Sequence, residues 1–299
     1  MEVCMKRTLG AILTFCSLAV HAGDTTTKLD DWHTYANYKD VVTTHVHLDI
    51  ALDFEHKQIK GSIAHRLKYL NKSTDKLILD TRDLDIHGSE VMVNGHWQKT
   101  PFTLADRDDI LGSKLTITLP HGTTNVRVNY NSRPEASGLQ WLTPAQTAGK
   151  KLPYMFSQSQ AIHARSWMPI QDTPAMRVTY SADVKTPTNL RPVMSADNNP
   201  KWNASGHYSF KMPQAIPPYL IAIAAGNIHH KKMSKQTAIY SEPQMLDAAA
   251  SEFEDTQAMI ETTEKLFGAY RWGQYDLLIL PPSFPMGGME NPRLSFITP

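Results

Sequence analysis

The sequence predicts a mainly β N-terminal domain followed by a shorter segment that combines helix and strand. Two observations carry this. From about residue 40 to 195 apolar residues recur with a period of two, broken by closely spaced turn signals, whereas after residue 240 a helical period takes over. The 299 residues are 41% hydrophobic with a formal net charge of +1, ordinary composition for about two folded domains. A charge balance this even gives no basic stripe for nucleic acid.

Residues 1–22 read as a signal peptide. Lys6 and Arg7 form a basic start, an apolar stretch runs from Thr8 to Val20, and Val20-His21-Ala22 places small residues before a cut at Gly23. The stretch is short of the roughly 20 apolar residues that cross a bilayer, so the mature chain is expected to have no membrane anchor and to be exported, to the periplasm or outside the cell. A lipoprotein site at Cys16 is disfavoured by bulky Phe15. Both cysteines lie in this leader, so a packed core must hold the mature chain together without disulfides.

The domain spanning 23–230 opens with a strand over 40–54. Val42, Thr44, Val46, Leu48, Ile50, Leu52 and Phe54 form its apolar face, and Thr43, His45, His47, Asp49 and Asp53 lie on the other. Strands follow near 63–70, 76–80, 90–93, 114–119 and 125–130. Asn94-Gly95 and His121-Gly122 mark turns between them. A polar stretch over 229–236 marks the boundary. In the segment 231–299, Ser241-Glu242-Pro243-Gln244 reads as a capping box opening a single long helix over 244–267, which Gly268 stops. Strands are expected at 275–280 and 294–297. The helix and these strands present apolar faces that need further protein to cover them.

The segment with most chemistry is Pro285-Met286-Gly287-Gly288-Met289-Glu290-Asn291-Pro292. Two glycines let another backbone approach closely, and a carboxylate two residues on can meet the α-ammonium of an extended peptide. From residue types alone, a glycine turn with an exposed glutamate remains the plainer reading.

Gly287-Gly288-Met289-Glu290-Asn291 resembles the exopeptidase motif of the zinc aminopeptidases related to aminopeptidase N. Five such residues arise by chance in roughly one in ten thousand chains of this length. Trp272-Gly273-Gln274-Tyr275-Asp276 and Leu280-Pro281-Pro282-Ser283-Phe284-Pro285 are similar to the leukotriene hydrolase/aminopeptidase branch. So are Phe156-Ser157-Gln158-Ser159-Gln160-Ala161-Ile162-His163-Ala164-Arg165, Gln171-Asp172-Thr173-Pro174 and Pro217-Pro218-Tyr219-Leu220-Ile221-Ala222.

The resemblance implies a saddle-like sheet domain packed on the first part of a thermolysin-like catalytic domain. It implies a secreted zinc-dependent aminopeptidase whose substrate is a peptide with a free N-terminus. Glu290 would bind the ammonium, and Gly287 and Gly288 would offer backbone hydrogen bonds. Gln158 and Gln160 would help hold the first residue and Met286 would line its side-chain pocket, with Ser159, Pro285 and Met289 also counted among the substrate-binding residues. Tyrosine is the branch's residue where Met286 stands, which leaves the preferred N-terminal residue open.

The family's zinc helix carries His-Glu-x-x-His, and none of the thirteen histidines is followed by glutamate. Zinc is therefore implied for the parent protein with no ligands in this chain, and no catalytic residue is assigned within it. His45 and His47 share a strand face, but a solvated polar face accounts for them better than a metal site. His229-His230 is assigned to a basic loop. A non-catalytic peptide-binding module is the alternative reading, and lipid epoxide hydrolysis a third.

Overall fold

The computed structural model describes residues 31–284 and 287–299. Among them the first strands are β1 (Val41–Asp53), β2 (Gln58–Tyr69), β3 (Lys76–Thr81), β4 (Leu84–Val93), β5 (His96–Thr100) and β6 (Phe102–Leu104). Next come β7 (Ser113–Thr118), β8 (Asn125–Ser132), β9 (Leu139–Leu142), β10 (Tyr154–Ser157), β11 (Val178–Lys185), β12 (Arg191–Met194), β13 (His207–Ile216) and β14 (Ile223–Gly226). The remainder is β15 (His229–Lys232), β16 (Thr237–Ser241), α1 (Leu246–Glu252), α2 (Thr256–Phe267), β17 (Tyr275–Ile279), β18 (Gly288–Met289) and β19 (Leu294–Ile297).

The strands form four sheets. The largest runs β13-β11-β1-β2-β8-β4-β5, with β1 and β11 parallel and its other pairs antiparallel. A three-stranded sheet, β3-β7-β6, supplies Leu77, Leu79, Leu115 and Ile117 to the same core as Val46, Leu48, Ile50 and Leu52 of β1. Each fully buried Leu or Ile there contributes roughly 1.5–3 kcal/mol. A third sheet, β12-β14-β10-β9, lies against the fourth, β15-β16-β17-β19-β18, across a cluster that joins Tyr154, Phe156 and Ala224 to Tyr240, Leu278 and Phe296.

The expected β1 alternation holds from Val46 on, but not before it. The register with β2 shifts between Thr43 and His45, so Val41 and Thr43 are buried and Val42 and Thr44 are not. A bulge adds one residue and flips the pattern upstream of it, which periodicity alone does not reveal. On the polar side, His45 Nδ1 lies 2.8 Å from Thr179 Oγ1, and His47 Nδ1 2.9 Å from Ser181 Oγ. These histidines are tied to β11 hydroxyls. The Asn94-Gly95 turn forms as expected, with φ of 49° and 81° linking β4 to β5.

Two further expectations are corrected. Residues His229–Lys232 form edge strand β15 rather than a loop, with His229 opposite Ser241 and the His230 ring tilted against Tyr240 at 5.0 Å between centroids. The capping box does not form, because Ser241 is buried at the end of β16 and donates to the Glu242 carbonyl. The helix begins at Leu246 with no side-chain cap and is split in two around 253–255. Gly268 does end α2, at φ 84°.

The helices α1 and α2 form the crossover between parallel strands β16 and β17. Ala249 and Ala250 pack on Ile239, Leu277 and Ile279. Leu266 and Phe267 remain 72% and 84% exposed, so part of the apolar helix face is uncovered.

Candidate substrate-binding site

Gly287, Gly288, Met289 and Glu290 lie at the edge of the fourth sheet. Gly288 and Met289 are β18, antiparallel to β19, with Gly288 opposite Ile297 and Met289 opposite Phe296. Thr298 N donates to Gly287 O at 3.1 Å. Antiparallel pairs alternate between bonded and non-bonded. The 287/298 bond therefore makes 288/297 a non-bonded pair, and the Gly288 N–H and C=O point out from the free edge.

The two glycines are needed for different reasons. A Cβ on Gly288 would lie 2.9 Å from Phe296 O, so the backbone approaching it on that side is the chain's own β19. Gly287 has φ 71° and open space where a Cβ would stand. Pro285 and Met286 lie outside the described residues.

Met289 is buried in the cluster with Phe156, and this pins the segment to β10. Phe284 meets Phe156 edge to face at 5.3 Å. Glu290, next to the buried Met289, is exposed, with no hydrogen bond or ion pair from its carboxylate among the described residues. Its outward side chain is thus open to solvent, while the backbone beside it is packed on the strand leading into Gln158.

The loop after β10 is held at both ends. Gln158 N donates to Gly138 O at 2.9 Å, and Gln158 Oε1 accepts from Gln160 N at 3.3 Å. Gln158 is half-buried and Gln160 exposed. Ser159 points inward instead: its Oγ accepts from Trp167 Nε1 at 3.0 Å, and its carbonyl from His163 N at 2.9 Å. His163 Nδ1 sits 2.7 Å from Ser137 Oγ and 3.1 Å from the Arg82 guanidinium, and burial, then Arg82, hold its pKa below the usual imidazole range. The ring thus ties the loop to Ser137 and Arg82.

Behind this loop Arg165 is fully buried between two carboxylates. Its Nε lies 3.1 Å from Asp172 Oδ2 and its Nη1 3.7 Å from Asp80 Oδ1, and it donates to the carbonyls of Leu111, His33 and Asp172. Burial raises the pKa of both acids against the pull of Arg165, that of Asp172 to about 6.

The aromatic contact between Phe156 and Phe284 was not legible in the sequence. Both residues fall inside the motif blocks, but nothing in spacing shows that two rings 128 positions apart meet. Among the described residues no three His, Cys, Asp or Glu side chains converge as a metal-binding group. Protein zinc sites use three or four such ligands, so these residues do not fit a zinc ion and no metal step is assigned to them. No helix among them is long and apolar enough to cross a membrane.

Residues 37–220 match the Peptidase M1 N-terminal domain. The chain belongs to the M1 peptidase family. This M1 chain is 42% identical over 265 residues to leukotriene A-4 hydrolase of Xenopus laevis, covering 85% of this chain and 43% of that protein. It is also 42% identical over 274 residues to leucine aminopeptidase 2 of Yarrowia lipolytica, covering 90% of this chain and 41% of that protein. The solved structure of yeast LTA4 hydrolase superposes with a TM-score of 0.85 at 36% identity, over 92% of this chain and 43% of that one. An M1 zinc metallopeptidase from Deinococcus radiodurans shares the fold at 18% identity and a TM-score of 0.69. The M1 chain thus spans less than half the length of these curated relatives. Its mainly β architecture is that of the M1 N-terminal domain and the start of the catalytic domain.

Proposed function

We propose that this chain is the substrate-recognition part of a zinc-dependent aminopeptidase and binds the free N-terminus of a peptide. The observation that carries the reading is the exposed Glu290 carboxylate, next to an edge strand whose Gly288 amide and carbonyl face outward. An extended peptide can add to that edge by backbone hydrogen bonds, as in strand addition generally. Its α-ammonium then has a carboxylate partner that is not committed elsewhere. Gln158 and Gln160, carried by a loop continuous with Phe156, supply polar groups on the neighbouring sheet.

The 42% identity to a leucine aminopeptidase supports a peptide substrate, and zinc belongs to this reading through the family. The His-Glu-x-x-His motif does not occur in these 299 residues, so hydrolysis belongs to the longer protein and recognition to this chain. Export, from the leader read at residues 1–22, is part of the same proposal; that leader lies outside the described residues.

The test compares a tripeptide amide carrying a free amine with its N-acetyl derivative. The wild-type chain should prefer the free amine, and Glu290→Ala should lose about 10-fold or more of that preference, as befits a hydrogen bond between charged groups. Equal binding of both peptides by the wild type, or an unchanged preference in the variant, would refute the assignment. In the longer enzyme the same variant should depress hydrolysis of an aminoacyl chromogenic substrate.

A further inference from the structure

We infer that Glu242 is a positioning residue for the ammonium-binding segment, acting through the loop after β9 and through Ser283. This rests on the recognition reading above. Glu242 follows β16 and is 3% exposed, and both of its carboxylate oxygens are committed. One accepts from Ala148 N at 2.7 Å and the other from Gly149 N at 3.0 Å. A carboxylate gripping two successive backbone amides makes two charge-assisted bonds and fixes the loop's orientation as well as its place.

The loop is shaped to receive it. Pro144–Gln146 is a single 3-10 turn, Thr147 Oγ1 donates to Pro144 O at 2.8 Å, and Lys150 N donates to Thr147 Oγ1 at 3.2 Å. A side chain at position 149 would crowd the Gln244 amide at 3.2 Å and the Glu242 carboxylate at 3.3 Å. Glycine is therefore what lets the carboxylate come close.

From the clamped loop the contact passes forward. The Gln146 carbonyl accepts from Ser283 Oγ at 3.1 Å, and the next residue, Phe284, meets Phe156. Ser283 and Phe284 lie just before Gly287–Glu290, and Phe156 just before Gln158. A closed circuit of contacts thus joins the sheet that carries the glutamines to the sheet that carries the glutamate. Buried at 3% exposure and bonded through both oxygens to the loop amides, Glu242 acts on recognition indirectly.

The test uses the chain itself with Glu242→Gln, Ser283→Ala and the double variant. Glutamine keeps the side chain's size but turns an N–H donor toward one of the two loop amides, breaking one bond. Ser283→Ala removes a single exposed hydroxyl. Each single variant should weaken binding of the free-amine tripeptide amide about 3- to 10-fold, the effect of one hydrogen bond. Each should also speed amide hydrogen exchange across 287–291 while β1 keeps its protection. The double variant should bind no more weakly than Glu242→Gln alone, since both act along one path.

Wild-type affinity and exchange in both single variants would overturn the inference. Loss of protection in β1 equal to that in 287–291 would also overturn it, assigning Glu242 to general stability. If the wild type does not distinguish the free amine from the acetylated peptide, the recognition reading fails and this inference with it. If it does, and Glu290→Ala abolishes the distinction while Glu242→Gln leaves binding and exchange untouched, only the positioning role fails.

Discussion

Replacing Arg165 by methionine should destabilise the protein in a strongly pH-dependent way. The guanidinium is fully buried, with Asp172 at 3.1 Å and Asp80 at 3.7 Å, both carboxylates themselves buried. One cation between two acids leaves a net negative charge in the core, and burial answers by raising both pKa values, that of Asp172 from 3.8 to about 6. A folded-state pKa above the unfolded value means that the native state holds extra protons between those limits. Stability from this source is full below about pH 4 and falls as pH rises toward 6 and beyond, by about 3 kcal/mol for Asp172. Removing one partner of a buried ion pair costs about 3–5 kcal/mol, because the remaining charge is stranded.

In the methionine variant both carboxyls lose the cation that pulled their pKa values down, so they hold their protons to higher pH and the stranded-charge penalty is smaller at pH 5 than at pH 8. What survives at pH 5 is the loss of donors to the carbonyls of His33, Leu111 and Asp172, which pH does not alter. Urea unfolding at pH 5 and pH 8 measures the difference, with a loss of about 3–5 kcal/mol at pH 8 and clearly less at pH 5. Equal losses at the two pH values, or a loss below about 1 kcal/mol at pH 8, would refute the account of a charge-deficient core triad.

Two other perturbations probe features of the same kind. Burial pushes Asp276 up to about 7 against hydrogen bonds from Gln274 and Ala238, so the wild type gives up stability as pH climbs from about 4 to 7. Asp276→Asn should raise the melting temperature at pH 8 more than at pH 5, and parallel melting curves across that range would count against a buried, raised carboxyl. Gly61 pairs with Ile50 across β1 and β2 at φ 150°, where a Cβ would stand 2.0 Å from Asp49 O. Gly61→Ala should cost about 2 kcal/mol or more; a urea midpoint indistinguishable from wild type would show that the strands can part there freely.

Local order along the chain was largely written in its periodicity and turn residues. The alternation of β1, the Asn94-Gly95 hairpin, the apolar run of β17 and the stop at Gly268 each follow from side-chain period or backbone conformation, which are properties of a few consecutive residues. Where the reading failed, a distant partner had decided the outcome. Thr43 is buried because β2 pairs with a bulge, and Ser241 forgoes its cap because β15 claims it as a strand residue. Glu242, read as part of a helix start, instead holds amides 93 and 94 positions away.

The candidate site divides along the same line. Glycines followed by a glutamate could be picked out as a place for an incoming backbone and its ammonium, since missing side chains and a negative charge are visible in any sequence. That Met289 and Phe284 seat this segment on Phe156, that Gly288 faces its own β19 on one side and an open edge on the other, and that Arg165 lies between two acids emerged only from the folded chain. Packing joins residues far apart in sequence, and no local pattern encodes which of many apolar or charged side chains will be neighbours once burial has selected them.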